Sequence, residues 1–234
     1  MRKFFILLTF ILISSFIFSE EILLEDSGKF GIYLKNIKVG WEKFDISIAT
    51  GGGKISTESQ YKIIEGGKNI SVSLKSSLYF DGKLQPVTYT IISSSSDLSG
   101  SISVSFKPKL GIVNYNIPGI HKKEDGVILP ERVVVVDQNV FSHLILPIFY
   151  KELFLKDKGK FVNVFVPQLA LDGVGKIRVT YSDKEKIFYQ NGKVRVKKYI
   201  LLSKESEILV YIDGFNRILK IVDSKKRAEI IREE

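Results

Sequence analysis

Residues 101–107, Ser-Ile-Ser-Val-Ser-Phe-Lys, place an apolar side chain at every second position, and this alternation recurs along the chain from Lys29 onward. A period of two belongs to a strand with one buried and one solvated face, whereas a helix spaces its apolar positions three and four apart. Phe30, Ile32 and Leu34 alternate in this way, as do Ile70, Val72 and Leu74, with Leu78 and Phe80 on the same parity. Asp81-Gly82, Asn191-Gly192 and Asp213-Gly214 are hairpin signals between such runs, and Gly51–Gly53 and Pro108-Lys109 add further turns. In the second half, 161–166, 176–181, 187–190, 194–202, 208–212 and 218–222 read as strands. Strand signals spaced by roughly 8–12 residues predict an antiparallel sandwich, barrel or half-barrel. The expected fold is all-β: one antiparallel curved sheet or half-barrel, or a barrel-like sandwich, formed as a single domain over residues 20–234.

Two places break the alternation. Val39 and Trp41 occupy odd positions, but Phe44, Ile46 and Ile48 occupy even ones. A one-residue phase slip near Glu42–Lys43 is what a β-bulge produces, since one extra residue swaps the faces. The second break is 137–153, DQNVFSHLILPIFYKEL, which is apolar on nearly every side. Asp137 or Asn139 is placed to cap a helix, Val140, Leu144 and Phe149 to share a face, and Pro147 to kink or end it. A short helical segment near 138–151 is expected to lie across the sheet, either as a plug that fills its open end or as a lid over an apolar cavity. The branched run 133–136 just before it reads as a strand covered on both faces.

At the N-terminus, Arg2 and Lys3 precede an apolar stretch over 4–13, and Ser14, Ser15 and Ser19 lead into Glu20 and Glu21. This is the layout of a secretory signal cleaved after Ser19, so residues 1–19 are expected to be a signal peptide. An uncleaved membrane anchor is the alternative, although a span needs about 20 apolar residues. The protein is thus expected to be exported, periplasmic or extracellular. Loss of Arg2 and Lys3 takes the formal charge from +9 to +7, a balance suited to anionic envelope partners and to contact with a membrane surface. Export and the lack of a nucleic-acid motif argue against nucleic acid.

The 234 residues include no cysteine and two histidines, His121 and His143. That excludes disulfides, thiol nucleophiles and thiolate metal sites. The histidines stand 22 positions apart, without the i, i+4 pairing of helical zinc sites. GGGKIST at 51–57 lacks the spacing of a phosphate loop. Ser142-His143 with Asp137 contains the residue types of a nucleophile–base–acid relay, but only convergence in space would make it one. Asp137, Asn139 and Asp172 lack the Asp/Asn-Gly loop of a calcium site. No metal or other cofactor is expected, and the basic stripe Lys193, Arg195, Lys197 and Lys198 reads first as a solvated face and second as an anion-binding one.

Three stretches, GIYLKNIKVGWEKFDI (31–46), VVVVDQNVFSHLILPIFY (133–150) and VYIDGFNRILKIV (210–222), resemble exported bacterial β-rich proteins known as domains of unknown function. Those in turn are similar to lipoprotein-carrier (LolA/LolB-like) half-barrels, in which a curved sheet encloses an apolar cavity behind a helical lid. The resemblance implies a hydrophobic-ligand role and carries over no catalytic residue. The leading expectation is a non-catalytic envelope protein that binds or carries an apolar or amphipathic ligand: a lipid, an acylated peptide or a lipoprotein. Trp41, Phe44, Phe141, Leu144, Leu146, Phe149 and Tyr150 are the expected cavity and lid residues, with Lys151, Lys156 and Lys158 at an anionic head group. One alternative is an interaction protein that docks an envelope partner; another is a hydrolase of envelope polymers using Glu131 and Asp137.

Overall fold

Strand follows strand through short reversals, so that nearly every neighbour in sequence becomes a neighbour in the sheet. The computed structural model describes residues 21–65, 68–95, 99–118, 123–137, 139–155, 160–204 and 206–233. The expected signal peptide, His121, Lys156 and Lys158 lie outside the described residues.

The first arm comprises β1 (Ile22–Leu34), β2 (Ile37–Ala49), β3 (Gly52–Glu65), β4 (Lys68–Asp81), β5 (Pro86–Ser95), β6 (Ser99–Lys107), β7 (Leu110–Asn116) and β8 (Lys123–Ile128). The second comprises β9 (Val134–Val135), β10 (Lys160–Phe165), β11 (Val174–Tyr189), β12 (Gly192–Leu202), β13 (Glu207–Ile212), β14 (Ile218–Asp223) and β15 (Ala228–Arg232). All join one sheet in the order β8-β7-β6-β5-β4-β3-β2-β1-β15-β14-β13-β12-β11-β10-β9. Pairing is antiparallel except between β9 and β10. The two arms meet at β1–β15, where Phe30 faces Arg232 and Leu34 faces Ala228. Strand twist accumulates over so many strands and curls the sheet around its own apolar face. It does not close into a barrel: β8 and β9 remain at opposite ends of the order, and the 3₁₀ turn Pro167–Gly173 packs beside β8.

The hairpins follow their turn residues. Lys35 and Asn36 both have positive φ, 50° and 67°, the two-residue turn whose twist matches flanking strands. Asp81 and Asp213 each build a longer reversal: Asp81 Oδ1 accepts the Lys83 and Gln85 amides at 2.9 and 2.8 Å, and Asp213 Oδ1 accepts those of Phe215 and Arg217 at 2.8 and 2.9 Å.

The bulge expected at 42–43 lies elsewhere. The β1–β2 register shifts between Ile32–Gly40 and Tyr33–Lys38, which leaves Val39 as the extra residue. From Gly40 to Ala49 the β2–β3 register is unbroken. Glu42 therefore shares the inward face of Phe44, Ile46 and Ile48 and is fully buried. Trp41 is turned outward, with the Lys29 and Lys43 ammonium groups 5.9 and 5.7 Å from its ring. It does not line the interior, because with no slip between Gly40 and Ala49 it stands on the face opposite Phe44. Beside the bulge, a Cβ on Gly40 would lie 2.3 Å from the Gln60 carbonyl oxygen, so only glycine fits.

Residues 141–155 wind continuously, first as a 3₁₀ turn (Phe141–Leu144), then as α1 (Ile145–Tyr150), then as a wider turn (Lys151–Leu155). Pro147 neither kinks nor ends the segment, because it sits in the first turn of α1, where a missing N–H costs little. Leu144, Ile145, Leu146, Ile148, Phe149 and Tyr150 are all buried against the inner face of the sheet. Each fully buried Leu or Ile contributes about 1.5–3 kcal/mol, so the segment fills the interior as a plug. The run Val133–Val136 is buried throughout, as its branched residues required, although only Val134 and Val135 pair as a strand.

Candidate functional site

The plug meets the wall of the sheet through polar groups. Phe141 and Ser142, at the start of the 3₁₀ turn, donate their backbone N–H groups to the two carboxylate oxygens of Glu42 at 2.8 and 2.9 Å. A carboxylate from β2, about a hundred residues away in sequence, thus serves as the cap that Asp137 and Asn139 were expected to supply. Asp137 instead folds back on itself: its Oδ1 accepts the Asn139 amide at 2.7 Å, while Oδ2 accepts hydrogen bonds from the Tyr89 hydroxyl and Gln168 Nε2. These contacts tie β5, the plug and the 167–173 turn together.

His143 is fully buried, edge-on to Tyr89 with ring centroids 6.0 Å apart, and neither imidazole nitrogen has a hydrogen-bond partner among the described residues. Ser59, directly across the β2–β3 pair from Glu42, is buried and its hydroxyl is likewise unpartnered. Ser142 Oγ and the Gln168 side-chain oxygen are the other such groups nearby. Buried polar atoms without partners are rare and cost about 1–3 kcal/mol each.

Titration follows from this burial. Desolvation pushes Glu42 up to about 7, against the lowering effect of the two amides, with the Asp137 charge adding to the rise. Asp137 is itself raised by burial, against the hydrogen bonds from Tyr89, Asn139 and Gln168. Tyr89 is driven well above its ordinary value by burial and by Asp137. Burial alone pushes His143 down to about 3, so the imidazole is neutral near pH 7. The structure thus collects Glu42, Ser59, Tyr89, Asp137, Ser142, His143 and Gln168 in one buried cluster.

Its chemical capacity is limited by those contacts. A relay needs the histidine bonded to both nucleophile and acid, and His143 is bonded to neither Ser142 nor Asp137. Among the described residues, no three His, Cys, Asp or Glu side chains converge as a metal site. Glu131 is exposed and lines a concavity of about 280 Å³ with Gln85, Lys107 and Pro130, whereas Asp137 is not in that lining. A second concavity of about 360 Å³ lies around Lys35, Asp223 and Arg227.

The expected ligand residues separate. Leu144, Leu146, Phe149 and Tyr150 are buried in the plug and Phe141 is half-buried. Phe44 is inward and stacked on Phe30 with centroids 4.5 Å apart, beneath the Arg232 guanidinium. Lys151 is buried, with its ammonium 2.7 Å from Glu152. Of the cluster, only Asp137, Ser142 and His143 drew attention as residue types. Glu42 carried a readable signal: it is an acid in phase with Phe44, Ile46 and Ile48.

Among solved structures, the chain is similar to a beta-barrel-like protein of the domain of unknown function DUF1849 from Brucella abortus, with a TM-score of 0.61 at 7% identity, over 92% of this chain and 96% of that one. A DUF1089 family protein from Pseudomonas aeruginosa superposes with a TM-score of 0.47 at 11% identity, over 78% and 88% of the two chains. The Brucella protein shares the fold; at that identity the likeness carries nothing further. No family model matches the chain, and no curated protein matches it.

Proposed function

We propose that this protein is a non-catalytic interaction protein of the cell envelope, a β scaffold that docks to a partner instead of turning over a substrate. The observation that supports this reading is the plug. Its apolar side chains are spent in the core, and its polar start is held by Glu42. The residues with catalytic potential are engaged in holding it or are isolated from one another. The working surfaces are then on the outside. The test is hydrogen exchange together with mass spectrometry of an organic extract from detergent-free protein. The scaffold reading expects the Phe141 and Ser142 amides to exchange as slowly as the central strands and the extract to be empty. A stoichiometric lipid or acylated peptide would overturn it.

The second reading is the carrier suggested by the lipoprotein-carrier resemblance. One observation favours it: the unpartnered Ser59, Ser142, His143 and Gln168 atoms around the start of the plug are unusual for a purely structural core. In that reading the plug is a lid, and Glu42 is the latch that a ligand must release.

A further inference from the structure

The β11–β12 hairpin runs past its neighbours. Among the described residues, β10 pairs with β11 only as far as Val179, and β13 pairs with β12 only from Lys197 onward. Beyond those points the hairpin is a two-stranded ribbon. One face carries Ile187, Tyr189, Val194 and Val196, packed on Tyr211 and Leu219 of the outer sheet surface. The opposite face sets Lys184 directly across from Lys197, Lys186 across from Arg195, and Lys193 across from Phe188. Like charges directly opposite one another oppose strand pairing, and here two such pairs stand in succession. Lys184, Lys186, Lys193 and Arg195 are exposed, and no acid pairs with any of the five cations among the described residues. Folding alone gives no reason for that arrangement.

At the end of this face Phe188 is 75% exposed. Phe215, on the β13–β14 turn, is also 75% exposed, with the Arg217 guanidinium 5.1 Å from its ring. The two turns are neighbours: Tyr189, adjacent to Phe188, packs in one cluster with Tyr211 and Leu219, whose strands the 213–217 turn joins. A single exposed phenylalanine is ordinary. Two on adjoining hairpin tips, beside a face of uncompensated cations, match the chemistry of an anionic bilayer surface. There aromatic rings settle at headgroup depth and Lys and Arg meet lipid phosphates. A nucleic-acid duplex would use the cations but has no exposed base faces for the two rings; single-stranded nucleic acid, whose bases do stack on aromatic rings, is set against lipid in the test below.

We propose that the β11–β12 ribbon docks the protein on an anionic lipid surface, its basic face against the phosphates and Phe188 and Phe215 in the headgroup layer. The inference concerns the outer surface, so it stands or falls separately from the reading of the plug.

The test is co-sedimentation of the full chain with vesicles of phosphatidylcholine alone and of an equal mixture with phosphatidylglycerol. The apolar 4–13 stretch has its own affinity for any bilayer, so the readout is the ratio of binding to the two compositions. Each basic residue at an anionic surface strengthens partition roughly fivefold. Lys186→Gln/Arg195→Gln should therefore lower that ratio about twentyfold, and Phe188→Ser should weaken binding to anionic vesicles further. The matched pair Lys107→Gln/Lys109→Gln, on the β6–β7 turn, should change the ratio little. Removing the opposed Lys186–Arg195 charges should leave Tm unchanged or raise it, which separates lost docking from lost folding; Phe188→Ser serves as the independent variant. Equal binding to both vesicle types would overturn the proposal, as would a ratio insensitive to Lys186→Gln/Arg195→Gln. Binding to single- or double-stranded DNA or to an acidic polysaccharide without vesicle binding would also overturn it.

Discussion

Replacing Glu42 by glutamine should change how stability depends on pH, because two buried groups beneath the plug titrate against each other. Burial raises Glu42 from 4.5 to about 7 and lowers His143 from 6.5 to about 3. Between pH 4.5 and 6.5 the folded chain keeps a proton on Glu42 that the unfolded chain releases. In the same window it refuses a proton at His143 that the unfolded chain accepts. The Glu42 contribution is therefore fully present below pH 4.5 and lost as pH rises through 7. The His143 contribution is present above 6.5 and lost as pH falls toward 3. At about 1.4 kcal/mol per pH unit each slope is worth about 3 kcal/mol across the window, with opposite signs, so in the native chain they nearly cancel. Glu42→Gln removes one of them. Its stability relative to the native chain should climb by about 3 kcal/mol between pH 4.5 and 7.5, or about 6–12 °C in Tm for a chain of this size. At pH 4.5 the variant should start about 1 kcal/mol lower, because its amide NH2 cannot accept where the hydroxyl oxygen of protonated Glu42 still can, which leaves one of the Phe141 and Ser142 N–H groups without an acceptor. Urea melts of both proteins at intervals of one pH unit give the difference curve. A flat curve would show that Glu42 titrates as a solvated carboxylate, and the account of a buried latch would be refuted.

Three further outcomes are expected. His143→Leu removes two unpartnered nitrogens and should be at least as stable as the native chain at pH 7, and more stable by about 3 kcal/mol at pH 4.5, by calorimetry. Arg232 donates to both Asp26 oxygens at 2.9 and 2.8 Å in a pair only 7% exposed, so Asp26→Ala leaves a buried cation and should cost about 3–5 kcal/mol in urea unfolding. Lys35 has φ 50°, so Lys35→Asn, which tolerates that region better, should raise stability by about 0.5 kcal/mol, and a loss in thermal melting would count against the turn geometry.

Local regularities were readable in the sequence and long-range ones were not. The alternation around Ile102, Val104 and Phe106 became β6, and the turn at Asn191-Gly192 became the β11–β12 reversal, because both depend on residues in contact along the chain. The plug was legible as a break in period two. Its winding through Pro147 was not, because that depends on where the first turn begins. The bulge read near 42–43 lies at Val39, and Glu42 is held inside by two amides of the plug that no local pattern announces. Ser59, Tyr89 and Gln168 gave no local sign of sharing a site, since each is unexceptional in its own segment. The opposed cations of β11 and β12 became visible only with the register, which set Lys184 and Lys186 across from a stripe already apparent in β12.

The pairing of β1 with β15 bears on the order of assembly. Each arm is a succession of hairpins whose contacts are short-range, and such units form early. The join between them, Phe30 with Arg232 and Leu34 with Ala228, spans almost the whole described chain. Until β15 joins it β1 has one flank bare, and the interior filled by the plug stays incomplete over that time. β15 is thus the keystone, and loss of its five residues would leave two half-shells, each with an open backbone edge where the other should sit.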